Sequence, residues 1–215
     1  MLTHCKAIIF DMDGTLVDTL PFMLKALQET FRRYGGKQFT FDEIIAMFGP
    51  TEAGMINPRV PEAVADQAVQ FFYDRYDVLH PAVPEPFPGI IDLLKELRAG
   101  GIKTGVVTGK GARTADISLK AYGLEPYIDE LISGSMYGGE KPHAIRKMLA
   151  GWGLAPGEAA YVGDMTSDME AAREAGVTAI GAAWAGISLI NAGAEAGGIV
   201  FQSVMDLKNR LNVAG

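Results

Sequence analysis

The chain has 215 residues, 48% of them hydrophobic and 21% charged, enough apolar material for a sizeable buried core. A net charge of −7 and a pI near 5.0 argue against a nucleic-acid footprint and against anionic membrane surfaces. The single cysteine, Cys5, excludes an internal disulfide framework, and no apolar run approaches the ~20 residues that span a bilayer. With no charged leader ahead of an apolar signal core, the expected location is the cytoplasm.

In chain order, Ala7 to Phe10 is an apolar run of strand length. Cys5, beside it, is expected to be a small buried thiol. The run stops on Asp11 and Asp13, after which Gly14 and Thr15 break the extended pattern. A helical pattern follows, with Leu20, Met23, Leu24, Leu27, Phe31 and Tyr34 on one face; Asp18 or Thr19 can cap it, and Gly35-Gly36 ends it. A short helix is expected from Phe41 to Phe48, capped near Thr40, then irregular chain over Gly49–Pro61. An amphipathic helix runs from about Pro61 to Leu79, with Phe71, Phe72 and Tyr76 in its apolar face. Pro81, Pro84, Pro86 and Pro88 then punctuate the chain as a semi-rigid linker.

Beyond the linker, helix and strand alternate. Expected strands are Lys103–Thr108, Glu130–Ser133, Ala159–Asp164, Thr178–Ala182 and, more weakly, Gly198–Phe201. Expected helices are Gly89–Ala99, Ala112–Tyr122, His143–Trp152, Ser167–Ala175 and Val204–Leu211. This alternation predicts an α/β fold: a doubly wound parallel sheet, Rossmann-like, with a helical cap inserted after the first strand. The core is expected over 1–18 and 84–215, and the cap over 19–83.

Four strands end in chemically useful residues, and in a parallel sheet those ends share one edge. They are Asp11 and Asp13; Thr108-Gly109-Lys110; the segment leading to Lys141-Pro142; and Gly163-Asp164 with Asp168. Asp11, Asp13, Asp164 and Asp168 crowd this edge, with Lys141 as the expected resident cation. Two like charges about 4 Å apart cost about 4 kcal/mol at an effective dielectric near 20, so either carboxylates are protonated or a cation is bound. All-oxygen ligands favour Mg²⁺. His4, His80 and His143 are scattered and read as structural or surface residues, so no zinc cluster competes. Such a set suits phosphoryl transfer. Asp11 can attack phosphorus and Asp13, its pKa raised by like charges, can serve as acid and base. Thr108, Lys141 and the N–H groups of Met12 and Gly109 can hold the transferring group.

Asp11-Met12-Asp13-Gly14-Thr15, Thr108, Lys141-Pro142 and Gly163-Asp164 with Asp168 resemble, in order, the four motifs of the haloacid dehalogenase superfamily. Pro86-Phe87-Pro88-Gly89-Ile90, Gly176-Val177 and Trp184-Ala185-Gly186 extend the likeness over nearly the whole chain, and the phosphoglycolate phosphatase-like branch fits best. The resemblance implies Asp11 as nucleophile and Asp13 as general acid and base. It implies Mg²⁺ on the Asp11 side chain, the Asp13 backbone carbonyl and Asp164, with Asp168 on the metal side or orienting the lysine. Thr108 and Lys141 would bind phosphate. Gly109 departs from the Asn that many relatives carry there, which removes a side-chain contact.

The expected activity is hydrolysis of small phosphate monoesters, with a small phosphorylated metabolite as partner and the oligomeric state, monomer or homodimer, open. A phosphomutase or an inorganic pyrophosphatase on the same scaffold is the alternative. A dehalogenase has no obvious use for Asp13 and a metal, and a receiver-type signalling module is shorter and lacks the insertion. Within the cap, irregular chain carrying Thr51, Glu52, Asn57 and Arg59 offers candidates for reading the leaving group; Arg59 could grip a substrate carboxylate.

Overall fold

The computed structural model describes residues 5–80, 85–185, 190 and 198–211. His4, Pro81, Pro84 and Gly186, together with the expected cap boundary near residue 83, lie outside them. Six parallel strands form one sheet in the order β3-β2-β1-β4-β5-β6. They are β1 Ala7–Phe10, β2 Lys103–Val107, β3 Glu130–Ile132, β4 Ala159–Gly163, β5 Thr178–Ala182 and β6 Gly198–Phe201. The order reverses at β1, with β2 on one side and β4 on the other, and a crevice opens at such a reversal.

Strand periodicity splits the core into two layers. Ile8 and Phe10 point to one face, where α5 (Ile90–Ala99), α6 (Ala112–Ala121) and α9 (Val204–Leu211) contribute Leu93, Leu97, Leu119 and Leu207. Ala7 and Ile9 point to the other, against Ile145 and Met148 of α7 (Lys141–Trp152) and Met169 and Ala172 of α8 (Thr166–Ala175). Cys5 is part-buried against the first layer, and burial pushes its thiol pKa up. Every strand of the sequence reading is present, shorter by a residue at three carboxyl ends, where the chain turns into the site.

Between β1 and α5 lies the helical cap: α1 Leu20–Thr30, α2 Phe41–Ile45, α3 Glu52–Ile56 and α4 Ala65–Leu79. It has its own apolar centre, built from Leu24, Leu27, Phe31, Ile56, Phe72 and Tyr76. α1 ends in a π-helical turn, Phe31–Gly35, closed by Gly36 at φ 63°, a conformation that glycine adopts without strain. α2 is held by a reciprocal cap between Thr40 and Glu43 and stops at Ile45, earlier than expected. Gly49–Pro61 is not irregular throughout: it contains α3 and a 3₁₀ turn, Asn57–Arg59. Five residues are too few for a helical period to declare itself in sequence. His80 packs in the interior against Phe22, Tyr76 and Tyr122, and burial brings its pKa down to about 4. No helix among the described residues is long and apolar enough to cross a membrane.

Candidate active site

Registry alone delivers the first two acids to one point. Phe10 pairs with Val162, so Asp11 and Asp164 leave adjacent strands at nearly the same level. The Asp11 N–H still donates to the Val162 carbonyl, 2.8 Å away, and carries the ladder into the site. The chain then folds back on itself: the Met12 carbonyl accepts from Leu16 and Val17, and the Gly14 N–H donates to the Val17 carbonyl. Trp184 on the far side pins this turn through an indole N–H bond to the Thr15 carbonyl at 3.0 Å. Gly14 sits at φ 70°, and a Cβ there would collide with the Asp164 carboxyl, so glycine is required twice over.

Asp11 is engaged at both oxygens. Oδ1 accepts from the Met12 N–H at 2.7 Å, and Oδ2 accepts from Lys141 Nζ at 2.7 Å. Lys141 opens α7, where the helix dipole disfavours a cation. Two acids offset that: Lys141 Nζ also donates to Asp168 Oδ1 at 2.6 Å, and although burial works against the cation, Asp11 and Asp168 hold its pKa well above the usual lysine value. Asp168 is fully buried, with Oδ2 accepting the Met165 N–H at 3.0 Å; burial raises its pKa and Lys141 opposes the rise. Tyr161 covers the pair and donates its hydroxyl proton to the Val107 carbonyl at 2.8 Å.

Asp11, Asp164 and Asp168 each offer an oxygen within 4.8 Å of the others. Asp164 Oδ1 is buried and has no hydrogen-bond partner. Desolvation first, then the Asp11 and Asp168 charges, push the Asp164 carboxyl up to about 9. An orphaned buried oxygen among like charges fits a bound divalent cation, since such an ion satisfies the lone pairs and removes the repulsion together. Asp168, by contrast, spends both oxygens on Lys141 and the Met165 N–H.

Asp13 is where the sequence reading needs correcting. Lys141 is not the only resident cation: Lys110, buried, donates from Nζ to Asp13 Oδ1 at 3.0 Å and lies 4.7 Å above the Tyr76 ring. Thr19 stands at the head of α1 but does not cap it; its hydroxyl donates to Asp13 Oδ1 instead. Desolvation pushes the Asp13 carboxyl up to about 6, Lys110 pulls against it, and Asp11 adds to the rise. Thr108 is buried at the end of β2, its hydroxyl accepting the Lys110 N–H at 3.3 Å. Gly109 follows in the same turn, and a Cβ there would meet only the Gly49 carbonyl oxygen at 3.8 Å.

Above these residues a cavity of about 610 Å³ is bounded by the strand ends and the cap. Asp11, Asp13, Thr108, Gly109, Lys141 and Asp164 all line it. The cap candidates are placed differently. Glu52 lines the cavity, but its carboxylate is spent on the core, accepting from the Gly111 N–H at 2.9 Å and the Thr114 hydroxyl at 2.6 Å at the start of α6. Thr51 uses its N–H on the Ser135 carbonyl, and Arg59 donates to the Met55 carbonyl within the cap; neither these two nor Asn57 is among the cavity residues. Leu24, Phe41, Phe48 and Met55 take their place.

The structure is a capped parallel sheet with clustered carboxylates and two lysines at its switch point. The chain belongs to the haloacid dehalogenase-like hydrolase family, whose sequence model matches residues 8–182. Among its relatives, pyrophosphatase PpaX of Bacillus pumilus is 30% identical over 181 residues, 83% of each chain. Phosphoglycolate phosphatase of Agrobacterium fabrum is 33% identical over 183 residues, 80% of this chain and 78% of that protein. The solved structure of CbbY from Rhodobacter sphaeroides, in complex with phosphate, superposes with a TM-score of 0.82 at 21% identity, covering 94% of this chain and 96% of that one. The protein is thus an enzyme of the hydrolase kind, on a fold and with relatives that are phosphatases.

Proposed function

We propose that the protein is a Mg²⁺-dependent phosphatase of small phosphate monoesters, working in the cytoplasm through an aspartyl-phosphate on Asp11. The observation that carries this reading is the meeting of Asp11 and Asp13, Thr108, Lys141 and Asp164 around one cavity, from the segments that follow four separate strands. Mg²⁺ would be held by the Asp11 side chain, the Asp13 backbone carbonyl and Asp164, and when bound would supply positive charge to the phosphoryl oxygens.

Asp11 attacks phosphorus, forming the Asp11 O–P bond as the ester P–O bond breaks. Asp13 gives its proton to the departing alcohol oxygen. Water then gives a proton to Asp13, its oxygen attacks phosphorus, and the Asp11 O–P bond breaks to release orthophosphate. A carboxyl pushed to about 6 suits both halves, because each protonation state is well populated near neutrality. Thr108, Lys141 and the N–H groups of Met12 and Gly109 hold the equatorial oxygens, and Asp168 keeps Lys141 aimed. Residues 19–83 act as a lid over the 1–18 and 84–215 core, shielding the bound ester from bulk solvent during transfer to Asp11.

The test is phosphate release from a panel of phosphorylated small molecules, with and without Mg²⁺, by the protein and its Asp11→Asn variant. Sustained, Mg²⁺-dependent release is expected, lost in the variant while its circular dichroism stays unchanged. Near-normal release from the variant, or isomerised product without release from the parent, contradicts the reading.

A further inference from the structure

The cavity has two unlike ends. At the sheet edge stand Asp11, Asp13, Thr108, Lys110, Lys141 and Asp164. The opposite wall, contributed by the cap, is mainly apolar, with Leu20, Met23, Leu24, Phe41, Phe48 and Met55; its one charged residue, Glu52, is turned to Gly111 and Thr114. No Lys, Arg or His of the cap is among the cavity residues. Four of its cations are engaged elsewhere, Arg33 over the Phe71 ring, Lys37 over Phe39, Arg59 on the Met55 carbonyl and Arg75 on Glu29; the other two, Lys25 and Arg32, are exposed and do not line the cavity. Residues 81–84 and 186–197 contain no basic residue in sequence.

The cations that do line the cavity are Lys110 and Lys141, and both are tied to the reacting carboxylates, Lys110 to Asp13 and Lys141 to Asp11 and Asp168. The remaining charged residues along the wall are acids: Asp18, Glu52, Glu140, Glu170 and Glu174. At Gly109 no side-chain atom lies within 4 Å of where a Cβ would stand. A second anionic group on the leaving alcohol would therefore give up its hydration with no cation to meet it, and would face a like-charged wall. An uncharged apolar body in the same place would bury surface against the cap.

We propose that the leaving group is uncharged and partly apolar, and that the enzyme discriminates against esters whose leaving group carries a carboxylate or a further phosphate. The inference rests on the phosphatase reading above. It separates this chain from relatives named for phosphoglycolate and pyrophosphate, both of which place anionic charge in the leaving group.

The test compares kcat/KM of the full chain with Mg²⁺ on phenyl phosphate and 4-carboxyphenyl phosphate, which differ by one carboxylate, alongside phosphoglycolate and pyrophosphate. The added carboxylate makes the phenol a slightly better leaving group, so intrinsic reactivity opposes the expected preference. Phenyl phosphate is expected to be favoured over its carboxylated partner by more than about fivefold. The Phe48→Arg variant, which sets a cation in the apolar wall, is expected to narrow that ratio. A parent ratio below about fivefold, a preference for phosphoglycolate or pyrophosphate over phenyl phosphate, or an unchanged ratio in Phe48→Arg overturns the proposal while leaving the phosphatase reading intact. Absence of phosphate release from all four compounds overturns both.

Discussion

Asp13 is the residue on which the proposed chemistry turns, and two donors from different parts of the chain hold the same oxygen. Lys110 comes from the loop after β2, and Thr19 from the head of the first cap helix. The ammonium favours the ionised carboxyl, so its removal should raise the Asp13 pKa above its present value of about 6. For Lys110→Met the expected outcome is a kcat lower by about ten- to a hundredfold, with the acid limb of the pH–rate profile moved to higher pH. Superimposable profiles for parent and variant would contradict this. Asp11, Asp13, Thr108 and Asp164 were legible in sequence because each follows a short apolar run, and parallel strands bring such ends to one edge; Lys141, well beyond β3, was legible through the Lys141-Pro142 motif that opens α7. Lys110 and Thr19 were not, although both stand in segments the sequence marks. A turn residue's direction is fixed by backbone dihedrals that no hydrophobic period records. Thr19 could also satisfy an ordinary capping pattern, and the carboxylate outcompeted the helix N–H groups for its hydroxyl.

At the scale of elements, the cap is tied to the core by α3 rather than by a substrate-reading loop. Glu52 reaches across to the first turn of α6, where oriented N–H groups favour a carboxylate. A second tie runs from the Thr51 N–H to the Ser135 carbonyl at 2.9 Å. Truncation of Glu52 to alanine leaves the Gly111 N–H buried without its acceptor and the Thr114 hydroxyl with the Gly111 carbonyl alone, a loss of about 1.5–3 kcal/mol. At about 2–4 °C per kcal/mol for a chain of this size, Glu52→Ala should lower Tm by about 3–12 °C and speed proteolysis between cap and core. An unchanged Tm and cleavage rate would refute a tethering role. The sequence showed the helical character of the insertion and the apolar faces of α1 and α4, because those helices are long enough for a 3.6-residue period to repeat. It did not show α3, a single turn in a glycine- and proline-punctuated segment. Arg59 was a plausible substrate ligand by chemistry alone; in the fold it turns back to the Met55 carbonyl.

Taken whole, the molecule gathers acids at the switch point of its sheet, and that concentration makes its stability depend on pH and on a cation. The Asp164 carboxyl, at about 9 when folded, lies far above its unfolded value of ~3.9. Between those limits the metal-free folded protein keeps a proton that the unfolded chain releases, so stability falls as pH rises. Asp13, at about 6, acts in the same direction over a narrower window. Without divalent ions Tm should therefore drop from about pH 5 to about pH 8, and Mg²⁺ should raise Tm more at the higher pH, where displacing the Asp164 proton costs less. Calorimetry showing the same Mg²⁺ increment at both pH values would argue against a cation on Asp164. The covalent intermediate is the central claim, and its most direct test is an acid-quenched single turnover followed by peptide mass mapping. One phosphoryl group on the Asp11 carboxylate, absent from Asp11→Asn, is the predicted result. Turnover with no covalent phosphate, or with phosphate mapped to another residue, would contradict it.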